Sequence, residues 1–449
     1  MPDDVIAKDN GQQHYGIYAT STEPPALVHR YARVAHNLTI REGMLHTKPG
    51  LRKITGVQLG TVNKRTVYNV DVYKGTTDDS FIILTGDSMQ SLSVEGGDPV
   101  DLATSYPSGF PAWVGSAPSP MFHMAGMLIY GNGASPPRKY NGTNVTRLGI
   151  VAPAALSAPS FATGIITGTY GYRATHVSTA VTGSAESDPT AVTSVTYTAQ
   201  QGTFSSPTVA NADPQVDRWN LYRDIGGVYH RINLTPVTLA TSIVDNLTDA
   251  DVVSGVTMDD IGENAPPTGN FFILTGHQGR AVGVGPVGRN TLQYSSLGLD
   301  LAGLYPKPHA WPASNAITFP DAGGTGISAV ISFYEWIIVF QRYAIWSIRG
   351  DLNDSENRLI SPLLVGADYR GLGAANSGCV AIMDNKIVFA GDDQPYKIQR
   401  DLNADKPDLT VSPLGDNISA LWQKINFNVG AVSTVDRAYK RWVFIGKGA

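Results

Sequence analysis

The chain has 449 residues, of which 42% are hydrophobic and 16% charged, and its formal net charge at pH 7 is −5. This composition is typical of a globular protein that buries a large core. Lysine and arginine are scattered except at Arg138-Lys139 and Lys440-Arg441, which argues against the basic patch that stable nucleic-acid binding requires. The single cysteine, Cys379, excludes an internal disulfide.

The N-terminal segment is polar and rich in turn residues. Residues 1–8 lack the basic start and apolar core of a signal peptide, so we expect the protein to be made in a cytoplasm. Lys48-Pro49-Gly50 predicts a turn that leads into a strand at Leu51. The Asn-x-Ser/Thr triplets are then interpreted as turn residues and not as glycan acceptors. They begin at Asn37, Asn141, Asn144, Asn233, Asn246, Asn353 and Asn417.

A block consisting of a strand, a polar turn and a second strand recurs along the chain. It is clearest in residues 327–350, where charged and polar residues such as Glu335 and Arg342 interrupt a stretch rich in Ile, Val and Trp. These interruptions favour a buried antiparallel sheet over a membrane span. Further copies begin at Phe81, Met127, Arg280, Trp336, Lys386 and Arg441.

The spacing of these copies predicts the architecture. The starts at 81 and 127 lie about 46 residues apart. The starts at 280, 336, 386 and 441 follow at steps of about 56, 50 and 55 residues. These steps are near the roughly 40 to 50 residues of a four-stranded β-propeller blade. Only the step from 127 to 280 is too long, and removing an insert of about 110 residues restores the spacing. We therefore predict an all-β protein with a propeller of about six blades, formed by residues 1–150 and 263–449, and a separate domain over residues 151–262.

The predicted insert begins after an alanine- and proline-rich linker, residues 152–159. Residues 168–177 then predict a strand with alternating faces. The later segments Glu186-Ser-Asp-Pro189, Leu221-Tyr-Arg223 and Ile243-Val-Asp-Asn246 follow in an order and at separations that resemble fibronectin type III or immunoglobulin-like modules. That resemblance implies a β-sandwich of about 100 residues.

Two patterns were weighed as ligand sites. Gly283-Val-Gly-Pro-Val-Gly288 matches G-x-G-x-x-G, but a strand instead of a helix follows it, so a hairpin is predicted and no nucleotide cofactor. Clustered aspartates could supply oxygen ligands to calcium, but they lack the spacing of an EF-hand and are interpreted as turn-capping residues. These aspartates are Asp245, Asp249, Asp251 and the pair Asp392-Asp393.

The sequence contains none of the common catalytic signatures. The nine histidines show no metal-ligand spacing, and neither a G-x-S-x-G elbow nor an aspartate-box repeat is present. We therefore predict no catalytic residue, no metal and no cofactor, and expect that the protein is not an enzyme. Tryptophans within the strand blocks are expected to fill the core and not to form sugar platforms. They are Trp336, Trp346, Trp422 and Trp442.

Several turns resemble those of the β-propeller hub or nozzle proteins of short-tailed bacteriophages. Lys48-Pro-Gly50 is similar to the Arg-Pro-Gly turn that precedes their first blade, although Lys48 stands where arginine is commoner. Asn141-Gly142 predicts a hairpin with a type I′ turn. Tyr140-Asn-Gly142 and Leu148-Gly-Ile-Val-Ala-Pro153 also resemble the end of a blade in those proteins. An immunoglobulin-like module inserted into a propeller also occurs among phage tail proteins.

The resemblance implies a structural component of the virion tail. It implies a ring of identical subunits, expected to be a homohexamer, around the DNA exit channel. The expected partners are tail adaptor or portal-side proteins and tail fibres, with transient passage of genomic DNA and no membrane span. The alternative is a carbohydrate-binding or carbohydrate-cleaving propeller, which would need a pocket lined by converging acids and aromatic side chains.

Two structural expectations complete this hypothesis. The strand that begins at Arg441 is predicted to share a blade with residues between Gln12 and Leu51, because a closed propeller leaves no open edge. The channel is predicted to carry acidic loops, since DNA must pass without gaining affinity from counterion release. The candidate channel residues are Asp78, Asp79, Asp259, Asp260, Asp392 and Asp393.

Overall fold

The structure, a computed structural model, describes the chain over a series of ranges. Most of the described residues lie in β-strands, which confirms the predicted all-β class. No helix within them is long and apolar enough to cross a membrane. The described residues are 8–9, 12–13, 38–41, 44–47, 67–74, 79–85, 89–93, 100–102, 120–179, 185–210, 213–258, 264–285, 288–297, 310–321, 326–352, 358–363, 372–392, 394–401, 408–414, 431–436 and 441–446.

The N-terminal part contains two hairpins and two four-stranded antiparallel sheets. The hairpins are β1 (Lys8–Asp9) with β2 (Gln12–Gln13), and β3 (Leu38–Arg41) with β4 (Met44–Thr47). Sheet 1 consists of β5 (Val67–Lys74), β6 (Asp79–Thr85), β7 (Met89–Ser93) and β8 (Val100–Asp101), and sheet 2 of β9 (Met121–Met124), β10 (Met127–Tyr130), β11 (Arg138–Tyr140) and β12 (Val145–Arg147).

The segment that follows sheet 2, which we call the insert, forms one sheet in the order β17-β16-β13-β15-β19, with β14 on β13 and β18 on β16. The helix α1 (Asp249–Val253) ends it. The strands are β13 (Ser160–Ser178), β14 (Ala185–Glu186), β15 (Thr193–Phe204), β16 (Arg218–Ile225), β17 (Val228–Arg231), β18 (Val237–Thr238) and β19 (Ile243–Asp245).

Three further four-stranded sheets and a hairpin complete the chain. Sheet 3 consists of β20 (Ile273–His277), β21 (Arg280–Val284), β22 (Thr291–Tyr294) and β23 (Ala316–Thr318), and sheet 4 of β24 (Ile327–Phe333), β25 (Trp336–Gln341), β26 (Ile345–Arg349) and β27 (Leu359–Pro362). After the 3-10 turn Ser377–Cys379, sheet 5 consists of β28 (Val380–Met383), β29 (Lys386–Ala390), β30 (Pro395–Asp401) and β31 (Asp408–Pro413), and the terminal hairpin of β32 (Ala431–Asp436) and β33 (Arg441–Gly446).

The predicted repeat corresponds to one position in these sheets. Copies starting at Met127, Arg280, Trp336, Lys386 and Arg441 are the first residues of β10, β21, β25, β29 and β33. Each of these strands is the second of its sheet or hairpin, and the copy starting at Phe81 lies in β6, the second strand of sheet 1. The apolar pattern therefore located the same strand in each of these units, and β10, β21, β25 and β29 are buried on both faces.

Successive sheets pack face to face through shared apolar clusters. One cluster joins sheets 1 and 2, another sheets 2 and 3, a third sheets 3 and 4, and a fourth sheets 4 and 5. The first strands β5, β9, β20 and β24 also contact one another in chain order. Side chains from both faces of each middle sheet are thus removed from water, which is the main apolar contribution to folding.

The insert has its own core, to which alternate residues of β13, β15 and β16 contribute. It includes Tyr172, Tyr197, Trp219 and Leu221, all of them almost completely buried. The first part of β13 pairs with β15 and its last part with β16, and Tyr172 pairs with a residue of each. The predicted strand over residues 168–177 is confirmed.

Some sequence expectations are corrected by the structure. The Asn141-Gly142 hairpin exists, but its loop has four residues and not the two of a type I′ turn, since Tyr140 pairs with Val145. Asn141 Oδ1 accepts the amides of Thr143 and Asn144 at 3.0 and 2.8 Å, which closes the longer loop as an Asx turn.

The expected pairing of the terminal strand differs as well. Among the described strands, β33 pairs with β32 alone, in a sheet of two strands, and β3 pairs with β4 in another. The predicted shared blade with an N-terminal strand is therefore not formed by these described strands.

Candidate functional site

Two of the six candidate channel residues, Asp79 and Asp392, lie within the described part of the chain. Asp78, Asp259, Asp260 and Asp393 lie outside the described residues. Asp79 begins β6 in sheet 1, and Asp392 follows β29 in sheet 5. The Asp392 carboxylate accepts hydrogen bonds from the Arg342 guanidinium of the neighbouring sheet at 3.2 and 3.4 Å. Their predicted position on a channel wall stays a prediction.

The aspartates weighed as calcium ligands instead have partners within the insert. Asp251 forms a capping box with Thr248 at the start of α1. Asp245 and Asp249 both accept hydrogen bonds from Arg223. Within the described residues, no group of three metal-ligating side chains is present. These acids serve as caps and ion-pair partners, as expected of aspartates in turns.

Arg223 and Asp245 form a buried ion pair, with both side chains fully removed from solvent. Arg223 Nη1 donates to the two oxygens of Asp245 at 3.0 and 2.8 Å, and the Tyr172 hydroxyl donates to Oδ2 at 2.7 Å. Burial, with Asp245 beside it, raises the pKa of Tyr172 far above its usual value, so the hydroxyl stays a donor. The Tyr170 ring lies 4.8 Å from the guanidinium carbon, which completes a cation–π contact.

The sequence contains a signal for this pair that the motif analysis did not use. In β16, Arg223 alternates with Leu221 and Trp219, which both face the core. In β19, Asp245 alternates with the buried Ile243 in the same way. Period-two alternation therefore places both charges on inward faces, where each needs a partner.

A second polar cluster fixes the insert against sheet 2, and we call it the junction. Gln215 Nε2 donates to the carbonyls of Gly149 and Arg147 at 2.9 and 3.3 Å. Asn264 Nδ2 donates to the Glu186 carbonyl at 2.8 Å, and the Asn264 carbonyl accepts the Ile150 amide at 2.9 Å. The two chain segments that enter and leave the insert are therefore hydrogen-bonded to each other and to it.

The predicted linker is part of this packed structure. Pro153, Leu156 and Pro159 are buried, and Leu156 belongs to the core of the insert. Ile150 forms a small apolar cluster with Ala185 and Val216 of the insert. The proline- and alanine-rich segment thus fixes the insert in place instead of forming a flexible tether.

Lys139 of β11 lies beneath the junction and is almost completely buried. Its Nζ atom has no hydrogen-bond partner among the described residues. Burial lowers the pKa of Lys139 to about 8, and the nearby Asp213 opposes that shift. Asp213 accepts a hydrogen bond from Gln215 at 2.7 Å, and burial raises the pKa of its carboxyl group. Sequence analysis noted Lys139 only as a member of a basic pair and missed this position.

An open cavity of about 260 Å³ lies between sheets 3 and 4. His277 and Arg280 line it from the ends of β20 and β21, and Asp351 lines it from the segment after β26. Arg280 is almost buried and donates to the Ser295 carbonyl at 2.9 Å and to Asp351 Oδ1 at 3.1 Å. The described lining residues are His277, Gln278, Arg280, Leu297, Gly350, Asp351 and Leu352.

His277 is held neutral at this cavity. Its Nδ1 atom lies 2.8 Å from Ser332 Oγ, and burial lowers the pKa of the imidazole to about 4. One carboxylate, Asp351, lines the described part of the cavity. The pair of acids that a glycoside hydrolase uses is therefore not assembled by the described lining residues.

Other predicted features have structural roles. The segment from Gly283 to Gly288 joins β21 to β22, so it is the predicted hairpin. A Cβ added to Gly283 would lie 2.4 Å from the Phe271 ring, which explains why glycine is needed there. Trp336 belongs to a core cluster and Trp346 packs against another, as expected. The side chains of Trp422 and Trp442 lie outside the described residues.

Comparison with known proteins identifies no family. No protein-family model matches the chain, and no curated protein matches it. Similar solved structures include Hsv2 of Kluyveromyces lactis, at 8% identity and a TM-score of 0.24. They also include a putative 6-phosphogluconolactonase of Bacteroides fragilis, at 11% identity and a TM-score of 0.26. A third is the computationally designed protein Ika8, at 10% identity and a TM-score of 0.22. The alignments cover 84%, 77% and 79% of this chain and 98%, 81% and 88% of the others. TM-scores this low carry no inference about function.

Proposed function

We propose that this protein is a structural component of a bacteriophage tail. In the proposed tail, identical subunits, each a β-propeller with an inserted immunoglobulin-like domain, form a ring around the DNA exit channel. The observation that carries the proposal is the junction. It fixes the insert to sheet 2 through Gln215, Asn264 and Ile150. An inserted domain held in one orientation can present a defined contact surface to neighbouring subunits.

The order of the sheets supports the propeller part of the proposal. Five four-stranded sheets joined by shared clusters, with contacts between the first strands of the first four, are the arrangement expected of successive blades. The terminal hairpin β32–β33 continues the series, since β32 contacts β28 of sheet 5. About six blades then form the closed propeller of one subunit.

The phage assignment rests on the resemblance of short motifs. The turn Lys48-Pro-Gly50, the turn Tyr140-Asn-Gly142 and the blade ending at Leu148–Pro153 resemble those of tail hub or nozzle proteins. In the structure, Leu148 is buried between sheets 2 and 3, and Gly149 lies at the junction. The blade-ending motif is therefore the point where the insert is attached.

The proposed assembly is a homohexamer of the complete chain in the virion, with the insert at its outside or at a subunit contact. A closed ring requires a heterologous interface that closes by rotation. Purified protein examined by mass photometry and electron microscopy should contain rings with six times the mass of one chain. A protein that stays monomeric at all concentrations, and is missing from tails isolated from a phage that encodes it, would contradict the proposal.

The proposed channel should let DNA pass with little affinity. Asp392, exposed in the described structure, and the five other candidate acids would discourage contacts with phosphate. Titration of fluorescent duplex DNA with the purified ring at physiological salt should show no tight binding. Tight binding with a steep salt dependence would instead indicate a nucleic-acid-binding role.

A further inference from the structure

The cavity between sheets 3 and 4 contains a set of polar groups that the proposed assembly role does not require. Arg280, 4% exposed, supplies a guanidinium at its wall, and Asp351, 53% exposed, supplies a carboxylate. Gln278 is exposed at the tip of the turn that joins β20 to β21. Donors and acceptors therefore converge on one open space of about 260 Å³.

The cavity walls are fixed by hydrogen bonds outside the cavity. Tyr294 donates to the Leu352 carbonyl at 2.8 Å, and Arg358 donates to the same carbonyl at 2.7 Å. Arg280 is held by the Ser295 carbonyl as well as by Asp351. A site whose polar groups are already positioned loses little conformational entropy when a ligand binds.

The charges of the described residues that line the cavity favour a neutral ligand. Arg280 already has a carboxylate 3.1 Å away, so a bound anion would lie beside Asp351 and be repelled. His277 is neutral because its pKa is lowered to about 4. Nδ1 of His277 is hydrogen-bonded to Ser332. Among the described residues, Nε2 of His277 is therefore the ring nitrogen that remains for a hydrogen bond with a ligand.

A ligand that matches these groups has several hydroxyls and one apolar face. Adjacent hydroxyls can donate to Asp351 and accept from Arg280, because a hydroxyl is both donor and acceptor. Leu297, 44% exposed, offers an apolar surface at the cavity. We propose that this cavity binds one neutral monosaccharide unit of a carbohydrate, held by Arg280, Asp351, His277 and Gln278.

This binding site is independent of ring formation, so the two proposals can fail separately. The test uses saturation-transfer-difference NMR of the purified full-length protein with methyl glycosides of glucose, galactose, mannose and N-acetylglucosamine. At least one glycoside should bind with a dissociation constant in the millimolar range. Absence of binding by all four would overturn the proposal.

Two variants locate the binding. Asp351→Ala removes a half-exposed carboxylate of the cavity and should weaken binding about tenfold, the cost of a lost charged hydrogen bond. Asp392→Ala is the matched control, since it removes a carboxylate of similar exposure from the Arg342 pair outside the cavity. Equal loss in both variants, or no loss in Asp351→Ala, would overturn the assignment. If Asp351→Ala does not fold, Gln278→Ala replaces it, because Gln278 is exposed.

Two further measurements test the chemistry of the ligand. Binding should be constant from about pH 5.5 to 8, because His277, with a pKa lowered to about 4, does not change charge there. A change centred on the ordinary histidine pKa would overturn the role of neutral His277. Inorganic phosphate should not displace the glycoside, and competitive displacement would overturn the neutral-ligand assignment in favour of an anion site.

Discussion

In the insert, a fully buried ion pair lies beside the core, whereas the clusters between the four-stranded sheets consist of aliphatic and aromatic side chains. The two kinds of core respond differently to damage. Removing one partner of a buried pair leaves an uncompensated charge, while trimming an apolar side chain costs free energy roughly in proportion to the cavity formed. Loss of the Asp245 carboxylate is therefore expected to cost about as much as the most damaging truncation of an aliphatic residue in the sheets.

The largest expected effect is that of Asp245→Ala. The variant leaves the Arg223 guanidinium buried without its main partner, so the free energy of unfolding of the insert should fall by about 3–5 kcal/mol. Hydrogen exchange of peptides from β16 and β19 measures this change locally. Asp249→Ala is the matched control, because Asp249 contacts the same arginine but is 54% exposed, and it should cost less than about 1 kcal/mol. Equal losses of stability in Asp245→Ala and Asp249→Ala would contradict the prediction.

Substitution of Lys139 has the next largest expected effect on the free energy of unfolding, and it should raise that free energy instead of lowering it. Its pKa in the folded protein is lowered to about 8, below the ~10.4 of an unfolded lysine. Between these values the unfolded chain binds more protons than the folded one, so wild-type stability rises with pH from about 8 to 10. At pH 7, Lys139→Met should be more stable than wild type by about 2–3 kcal/mol.

Urea unfolding of both proteins at pH 7 and at about pH 10 tests the lysine prediction. The difference in the free energy of unfolding between wild type and Lys139→Met should shrink as the pH rises, because deprotonation of Lys139 removes the cost of the buried charge. Lys397→Met, which changes a half-buried lysine of β30 in sheet 5, is the control for the loss of a lysine outside the junction. A Lys139→Met variant that is less stable at pH 7 would show that the amine has a stabilising partner.

Two glycines of one hairpin test the apolar packing of sheet 3. A Cβ on Gly283 would lie 2.4 Å from the Phe271 ring, whereas a Cβ on Gly285 would approach no atom more closely than 3.5 Å. Gly283→Ala should therefore destabilise the protein by about 1–3 kcal/mol through overpacking, and Gly285→Ala by much less. Thermal unfolding distinguishes them, and equal melting temperatures would contradict the predicted contact.

The smallest effect concerns attachment of the insert. Gln215→Ala removes hydrogen bonds to the carbonyls of Gly149 and Arg147, which should cost about 1–2 kcal/mol. Faster hydrogen exchange around residues 147–150, with unchanged exchange in β16, is the expected result. Gln293→Ala removes one exposed hydrogen bond to Thr268 and serves as the control. Loss of protection throughout the insert would show that Gln215 stabilises its core and not the junction.

The sequence predicted repeating units well because their signal is local. Apolar second strands such as β25 and β29 are buried on both faces, so each stands out as a short run of hydrophobic residues. Turn lengths were less predictable, as at Asn141, because side-chain hydrogen bonds to the following amides close a four-residue loop as readily as a shorter one. The all-β class could be predicted, but not the pairing of the terminal hairpin.

The candidate sites were harder to predict because they join distant residues. Arg280 and Asp351 are 71 positions apart, and Gln215 and Gly149 are 66 positions apart. No periodicity links such residues, since only the packing of separate sheets brings them together. Arg223 and Asp245 are the exception, because alternation along β16 and β19 is enough to place both on inward faces, although Asp245 was interpreted above as a turn-capping residue.

The two ends of the insert lie side by side, with the Ile150 amide bonded to the Asn264 carbonyl at 2.9 Å. A domain with adjacent termini can be replaced by another domain without altering the spacing of the strands that flank it. A replacement need only keep the hydrogen bonds at Gly149 and glycine itself at this position, because a Cβ would lie 2.4 Å from Pro266. The same position is thus a natural graft site, where a foreign binding domain could be displayed on the sheets at a fixed angle.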